Sequence, residues 1–354
     1  PTRLFREMDE DKNQFSADVE MPFDVGLSSD IKFKTGFLFE DKDRTFRERQ
    51  FVYQSLKDLN DTNGDIEAFF ANENIGIQDT LITPTFTRID FGNVIQDESV
   101  DQNSYDGDQE VLAFYGMIDI PITERFKFVG GARFESTDIK IVSQDTTEEP
   151  GIIDLNDVLP SGNLIYNVTD RMNVRFTASQ TLARPTFREI APFQAIDFAG
   201  GRQLSGNPDL TRTLIQNYDL RWEWFTRAGE VIAVSGFFKN FDDPIERKIE
   251  SNNDQETFQN VPNATVKGIE LEFRKRLDLI SDALKNFVLG TNIAVIDSDV
   301  DVPERELELA EGFDIADTRP LQGQSDFLVN SVLSYQNPKS GTVFSISHNR
   351  TGER

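Results

Sequence analysis

Connections between the predicted strands alternate between short and long along most of the chain. Strand patterns come in pairs whose members are joined by a few residues, whereas neighbouring pairs are joined by about twenty to fifty. Antiparallel membrane barrels have short turns on one rim and long loops on the other, so every second connection is long. The alternation therefore predicts an all-β, antiparallel transmembrane β-barrel, with about twelve strands in six pairs in this chain.

The segment 217–224 shows the two faces that such a strand needs. Successive side chains of a strand point to opposite faces, so one face of this segment is apolar and the other is charged or amide-bearing, whereas a helix would mix the two sets. We expect the apolar face to contact lipid and the polar face to line the lumen. The apolar set is Tyr218, Leu220, Trp222 and Trp224, and the polar set is Asn217, Asp219, Arg221 and Glu223.

The same patterns predict where the strands end. We expect a first strand near 13–23, a second that starts at Ile31 and continues through Tyr53, and a short helix within 66–74. The predicted long connections are 54–107, 143–157, 182–213, 242–263 and 297–324. Aromatic residues near the short turns predict a girdle at one membrane surface. These residues are Phe126, Tyr166, Trp222, Trp224, Phe225 and Tyr335.

Composition excludes several classes of protein. No apolar run of the 354 residues approaches the eighteen or so needed for a spanning helix, and the mean hydropathy is -0.45. The net charge of -26 disfavours nucleic-acid partners. With no cysteine and one histidine, His348, thiolate chemistry and a histidine-based metal centre are excluded. We predict no enzymatic activity, no catalytic residue, no cofactor and no metal site.

An acidic stretch matches part of a calcium-loop spacing. Asp297, Asp299, Asp301 and Glu308 occupy the first, third, fifth and twelfth positions, but Val302 stands where the sharp turn needs glycine. We interpret the stretch as an ordinary solvated loop.

Several runs resemble the β-barrel of TonB-dependent outer-membrane receptors, in the family's order across nearly the whole chain. The run TASQTLARPTFREIAPF (177–193) is similar to a strand-to-loop signature of that family. The other runs are YDGDQEVLAFYGMIDIPITERFKFVGGARFE (105–135), GNPDLTRTLIQNYDLRWEWF (206–225) with VIAVSGFFKNFDDPIER (231–247), NATVKGIELEFRKRL (263–277) and RPLQGQSDFLVNSVLSY (319–335).

The resemblance implies a larger barrel of about 22 strands with a plugged lumen. On this basis we expect residues 1–354 to form a partial outer-membrane β-barrel domain, with the plug, the first strands and the final strands absent from this chain. The implied partners are the TonB energy-coupling complex acting through the missing plug, outer-membrane lipid, a small-molecule or oligomeric substrate, and a surface lipoprotein. The implied location is the outer membrane, with long loops extracellular and short turns periplasmic.

Three residues are candidates for the barrel mouth. Arg184, Arg188 and Glu189 follow a predicted strand and place charge where the strand gives way to a loop. One interpretation is that they grip a plug or a ligand. The alternative, which we favour, is that Pro185 ends the strand while Arg184 and Glu189 form salt bridges within the wall.

The expected function is TonB-dependent import of a scarce nutrient: a siderophore, cobalamin, a glycan or a peptide. One alternative is an outer-membrane porin or adhesin-like barrel without energy coupling. A second is a soluble, secreted β-rich binding module.

Overall fold

The computed structural model describes residues 2–24, 31–54, 65–69, 71–196, 203–250, 255–303 and 316–353. These residues are almost entirely β-structure. The strands are β1 Thr2–Phe23, β2 Ile31–Gln54, β3 Ile77–Ile82, β4 Thr87–Phe91, β5 Val94–Asp97, β6 Tyr105–Pro121, β7 Phe126–Ser143, β8 Gly151–Thr169, β9 Met172–Ala183, β10 Gln194–Ile196, β11 Gln203–Ser205, β12 Thr213–Trp224, β13 Val231–Asp242, β14 Ile245–Glu250, β15 Gln255–Asn260, β16 Asn263–Arg276, β17 Phe287–Asp301, β18 Thr318–Arg319, β19 Phe327–Asn337 and β20 Thr342–Thr351.

Helical structure is short. The α-helices are α1 Ile66–Phe69 and α2 Phe187–Ile190, and the 3-10 turns are Asn72–Asn74, Asp101–Asn103, Leu277–Leu279 and Asp282–Leu284. The helix predicted within 66–74 is thus α1 followed by a 3-10 turn. Of the helices in the described ranges, none has the length and apolar character required to cross a membrane.

Twelve strands form one large antiparallel sheet, in which sequence neighbours of the set are also spatial neighbours. The order is β1-β2-β6-β7-β8-β9-β12-β13-β16-β17-β19-β20, and short strands β5 and β18 pair with β2 and β17. The prediction of about twelve strands in six pairs is confirmed. Among the described residues, no strand pairs with the outer edge of β1 or of β20.

The two rims of this sheet differ in their connections. One rim, the short-turn rim, carries the turns 24–30, 122–125, 170–171, 225–230, 277–286 and 338–341. The other rim, the long-connection rim, carries 55–104, 144–150, 184–212, 243–262 and 302–326. The alternation holds, but the connection predicted at 143–157 is wrong in length, because β8 already begins at Gly151. The ladder continues there because the paired Ile139 and Ile153 are buried beneath a neighbouring connection.

The predicted loop 297–324 also begins too early. Asp297, Asp299 and Asp301 lie in β17, and Asp297 pairs across the sheet with Lys267 at 3.0 Å. An extended strand holds its carboxylates in a row and cannot wrap them around one cation, so these three aspartates do not form a calcium loop. Glu308, the fourth residue of that spacing, lies outside the described residues. The first strand is likewise longer than predicted, since β1 starts at Thr2.

The sheet has one apolar face and one polar face, as the alternation predicts. Leu220, Ile269 and Val295 point outward, with 55%, 58% and 62% of their surfaces exposed. On the opposite face, the Arg221 guanidinium bonds to Glu223 at 2.7 Å and to Glu272 at 2.5 Å. A bare apolar face of this kind suits lipid, and the ion-paired face suits a polar lumen.

Aromatic rings lie beside the short turns. Phe126 contacts Tyr166 with ring centroids 6.5 Å apart, and Phe287 contacts Tyr335 at 5.0 Å. Both pairs stand on neighbouring strands next to the short-turn rim, where an aromatic girdle is expected at a membrane surface.

Glu230 ties the turn 225–230 to the end of β16 at the short-turn rim. This carboxylate is 2% exposed and accepts hydrogen bonds from Thr226 Oγ1 at 2.6 Å, Lys275 Nζ at 2.9 Å and the Arg276 amide at 3.4 Å. Burial by itself raises the pKa of Glu230, but these hydrogen bonds outweigh it and lower the pKa from 4.5 to about 2. The ionised form therefore stabilises the folded state.

We expect Glu230→Gln to remove about 1 to 2 kcal/mol of stability at neutral pH. Because the folded pKa is depressed, this contribution is fully present above pH 4.5 and is lost as the pH falls from 4.5 towards 2. Urea unfolding of both proteins in lipid vesicles between pH 7 and pH 2 measures the difference. The curves should converge in acid, while Glu124→Gln, which removes an exposed carboxylate from the same rim, should follow the wild type. A constant gap between Glu230→Gln and wild type at every pH would contradict the assignment.

Candidate functional site

The long-connection rim carries a second, smaller layer of structure. Strands β10, β11, β15 and β14 form a separate sheet in that order, with β11 and β15 parallel and the other pairs antiparallel. Helix α2 precedes this small sheet and packs against the inner face of the large one. The described parts of the connections 184–212 and 243–262 therefore fold inward over the polar wall.

Arginines fasten both ends of the 184–212 connection to that wall. Arg184 Nη2 donates to Glu135, and Arg184 Nε donates to Thr137 Oγ1 at 3.0 Å. At the other end, Arg212 Nε donates to Asp157 at 2.9 Å. Glu135 and Asp157 are only 8% and 5% exposed, so each guanidinium compensates a carboxylate that is largely withdrawn from water.

Between these two anchors the connection builds an apolar core. The inward positions of β7 change from polar Glu135 to apolar Ile139 and Ile141, and α2 covers the apolar part. Phe187 of α2 is 1% exposed, and Lys42 Nζ lies 4.3 Å from the centre of its ring. The wall thus offers α2 a hydrophobic surface flanked by cations that favour an aromatic ring.

A cavity of about 570 Å³ opens between the small sheet, α2 and the connection 302–326. Its lining mixes apolar, aromatic, amide and charged groups, which is the usual make-up of a small-ligand site. The lining residues are Thr186, Arg188, Glu189, Leu204, Ile245, Glu246, Arg247, Phe258, Leu321, Gln322 and Gly323.

The carboxylates of this cavity are engaged in structural contacts. The Glu189 carboxylate accepts a hydrogen bond from the Thr186 amide at 2.6 Å, as part of a capping box at the start of α2. Glu246 is 4% exposed, and Arg319 donates to it at 2.5 and 3.2 Å. These contacts neutralise much of the acidic character that the composition would suggest for the cavity.

Basic and aromatic groups complete the lining. The Arg247 guanidinium lies 5.9 Å from the Phe258 ring centre and 3.6 Å from Glu256. Arg188 lines the same cavity from α2. Guanidinium and aromatic groups together favour a ligand that carries planar polar or anionic groups. Nowhere in the described ranges are three or more acidic or histidine side chains arranged to hold a metal ion.

The three mouth candidates are thus separated by the structure. Arg188 and Glu189 line the cavity, whereas Arg184 lies on the wall side of α2 and pairs with Glu135. Three further lining residues were not predicted from the sequence: Arg247, Phe258 and Gln322, which come from two other connections. No local pattern marks them, because only the folding of separate connections onto one rim brings them together.

A second depression, of about 590 Å³, lies elsewhere. It is almost wholly apolar and is lined by outward-facing residues such as Leu220, Phe238 and Ile269. These residues belong to the bare apolar face of the large sheet, so this depression is part of the lipid-facing surface.

An antiparallel sheet with a bare apolar outer face, an ion-paired inner wall and long connections folded over one rim defines a membrane β-barrel protein. The family model described as "TonB dependent receptor-like, beta-barrel" matches residues 2–354. The chain therefore belongs to the TonB-dependent receptor family. Proteins of this family reside in the outer membrane and are receptors and transporters, not enzymes.

Solved structures share the fold at low sequence identity. The ferric citrate transporter FecA aligns with a TM-score of 0.58 and 12% identity, over 98% of this chain and 43% of its own. The ferric yersiniabactin uptake receptor FyuA from Yersinia pestis aligns with a TM-score of 0.55 and 15% identity, over 99% of this chain and 44% of its own. The ferric-catecholate import receptor Fiu from K12 E. coli aligns with a TM-score of 0.56 and 12% identity, over 99% of this chain and 49% of its own.

This chain spans less than half the length of each of these three structures. At such identities the likeness concerns the fold alone. No curated protein sequence matches the chain significantly.

Proposed function

We propose that this chain is the barrel part of an outer-membrane receptor that imports a scarce nutrient by coupling to the TonB complex. The observation that carries the proposal is the family match over residues 2–354. The proposed orientation places the long-connection rim outside the cell and the short-turn rim in the periplasm. The cavity lined by Arg188, Arg247 and Phe258 then lies at the extracellular mouth, where a substrate first meets the protein.

The proposal includes a plug domain, supplied by a part of the protein beyond this chain, that fills the lumen. The inner wall supports it, because its polar groups are only partly covered by the described residues. The paired side chains of Arg221 and Glu272, for example, are still 28% and 36% exposed, so a polar partner in the lumen could bind them.

The cargo classes remain those expected from the sequence: siderophore, cobalamin, glycan and peptide. Similar structures are described as a ferric citrate transporter and as a ferric yersiniabactin uptake receptor, and these descriptions apply to those proteins. The mixed lining of the cavity suits a polar cargo with planar groups.

Growth competition tests the proposal. The gene for the full-length protein is deleted, and separately the TonB protein is removed, in cells grown with each cargo class as the limiting nutrient. We expect the first deletion to slow growth on one class and the loss of TonB to abolish the remaining advantage of the intact gene. If the gene helps equally with and without TonB, the protein is a passive barrel. If it helps on no medium, it is not an importer of these nutrients.

A further inference from the structure

Strand β14 is the outermost strand of the small sheet and has one edge without a strand partner among the described residues. Backbone groups along an antiparallel strand point alternately to one side and the other. The Pro244 carbonyl accepts a hydrogen bond from the Val261 amide. The backbone N–H and C=O groups of the even-numbered positions of β14 therefore point towards β15. Ile245, Arg247 and Ile249 consequently direct their N–H and C=O groups to the outer edge.

A side-chain amide occupies the middle of this edge. The Arg247 amide donates to Gln322 Oε1 at 3.1 Å, and Gln322 Nε2 donates to the Arg247 carbonyl at 2.8 Å. This pair of bonds has the same donors, acceptors and spacing as the exchange between two paired strands. The Gln322 side chain therefore stands where the peptide group of another strand would stand.

The backbone that carries Gln322 is held independently of this contact. Leu321 packs against Val261 and Val300, and its amide donates to Ser298 Oγ at 3.1 Å. Gly323, with φ of 73°, turns the chain away immediately afterwards. Rotating the Gln322 side chain off the edge would thus cost its own two hydrogen bonds and leave the surrounding fold in place.

The cavity runs along this same edge. Ile245 and Arg247 of β14 line it on one side, and Leu321, Gln322 and Gly323 line it on the other. Ile249, the next outward-directed position, has 54% of its surface exposed. A ligand in the cavity would therefore lie beside unpaired strand-edge positions and next to apolar, aromatic and basic side-chain partners.

We propose that the edge of β14 binds an extended peptide, which adds a strand to the small sheet in place of the Gln322 side chain. Main-chain hydrogen bonds to Ile245, Arg247 and Ile249 would supply affinity, and the cavity side chains would select alternate peptide side chains. The inference rests on the proposed import function for its role, since it names a peptide as the cargo class. Strand addition itself is a binding event that needs no energy coupling.

Three variants of the full-length protein separate the backbone edge from the side chains. Gln322→Ala removes the competing amide, and we expect about tenfold tighter peptide binding because two hydrogen bonds need no longer be displaced. Arg247→Pro deletes the edge N–H but leaves the bonds to β15, since proline is tolerated where the N–H faces away from the sheet. Arg247→Ala keeps the edge N–H and removes only the guanidinium, so it measures how much of the effect of Arg247→Pro is due to the lost side chain.

The experiment uses a random hexapeptide library passed over each immobilised protein in detergent, with retained peptides identified by mass spectrometry. We expect wild type, Gln322→Ala and Arg247→Ala to enrich peptides, and Gln322→Ala to enrich them most strongly. Arg247→Pro should enrich them at least tenfold less than Arg247→Ala does. Thermal unfolding of each variant verifies folding, and Ile249→Pro repeats the test at a second edge position. Resynthesising the best peptide with alternate amides N-methylated should abolish binding without changing its side chains.

The inference is overturned if neither wild type nor Gln322→Ala enriches any peptide over Arg247→Pro. It is also overturned if the N-methylated peptide binds as well as the parent, since binding would then depend on side chains alone. Neither result bears on the growth competition, which tests import of any cargo. Conversely, if peptides are enriched in detergent but the growth advantage does not depend on TonB, the peptide site stands and the proposed import function is rejected.

Discussion

Replacing Phe187 with alanine is expected to destabilise the protein by about 3 to 5 kcal/mol and to release the 184–212 connection from the wall. The ring is 1% exposed and fills the space above Gly107, where an added Cβ would come within 2.9 Å of it. The large sheet itself is held by its ladder, so the loss should fall mainly on the rim. Urea unfolding in vesicles measures the free energy, and limited proteolysis within 184–212 measures the release.

Two controls make the Phe187 result specific. Phe187→Leu keeps most of the apolar volume but loses the attraction to Lys42, so we expect a cost below about 1.5 kcal/mol. Phe176→Ala removes an aromatic ring that is 43% exposed on the apolar outer face, and it should leave the rim resistant to protease. Unchanged protease resistance in Phe187→Ala would mean that α2 does not anchor the connection.

The strands and their faces could be predicted because a strand imposes a period of two on its own sequence. In β12, exposed Leu220 and buried Asn217 and Glu223 lie on opposite faces, as the alternation at 217–224 predicts. A membrane strengthens this signal, since outward positions must be apolar across the lipid. That requirement acts residue by residue and can be recognised without knowing the fold.

Strand ends could not be predicted in the same way. The ladder of β17 continues through Asp297 to Asp301, and that of β8 begins at Gly151. Beyond the apolar band an outward position can carry aspartate, so the hydrophobic alternation stops while the hydrogen bonding continues. The errors therefore fall at the long-connection rim, where lipid no longer constrains the sequence.

The residues of the candidate site are even harder to predict from the sequence than the strand ends. Arg184 is 49 positions from Glu135, and Gln322 is 75 positions from Arg247. Each pair joins separate connections or a connection to the wall, and the residues have no local pattern that marks their partner. Arg188 and Glu189 could be found near the cavity only because they follow a strand end directly.

The second large effect is expected when the carboxylate of Glu135 is removed from the inner wall. Glu135 is paired with Arg133 at 2.5 Å as well as with Arg184. Glu135→Ala would leave two guanidinium groups against the wall without their carboxylate, and we expect a loss of about 3 to 5 kcal/mol. Arg184→Ala leaves Glu135 its bond to Arg133, so its cost should be smaller, about 1.5 to 3 kcal/mol.

A double-mutant cycle on Arg184 and Glu135 isolates their interaction, measured by urea unfolding of the full-length protein in vesicles. We expect a coupling energy of about 1 to 3 kcal/mol. Arg184→Lys keeps the charge but cannot reach Glu135 and Thr137 with one planar group, so it should recover only part of the loss. Additive single-variant effects would show that the two side chains are neighbours without mutual stabilisation. The 184–212 connection would then be held by the apolar core around Phe187 and by Arg212, and Arg184 would again be available as a contact for a plug or a ligand.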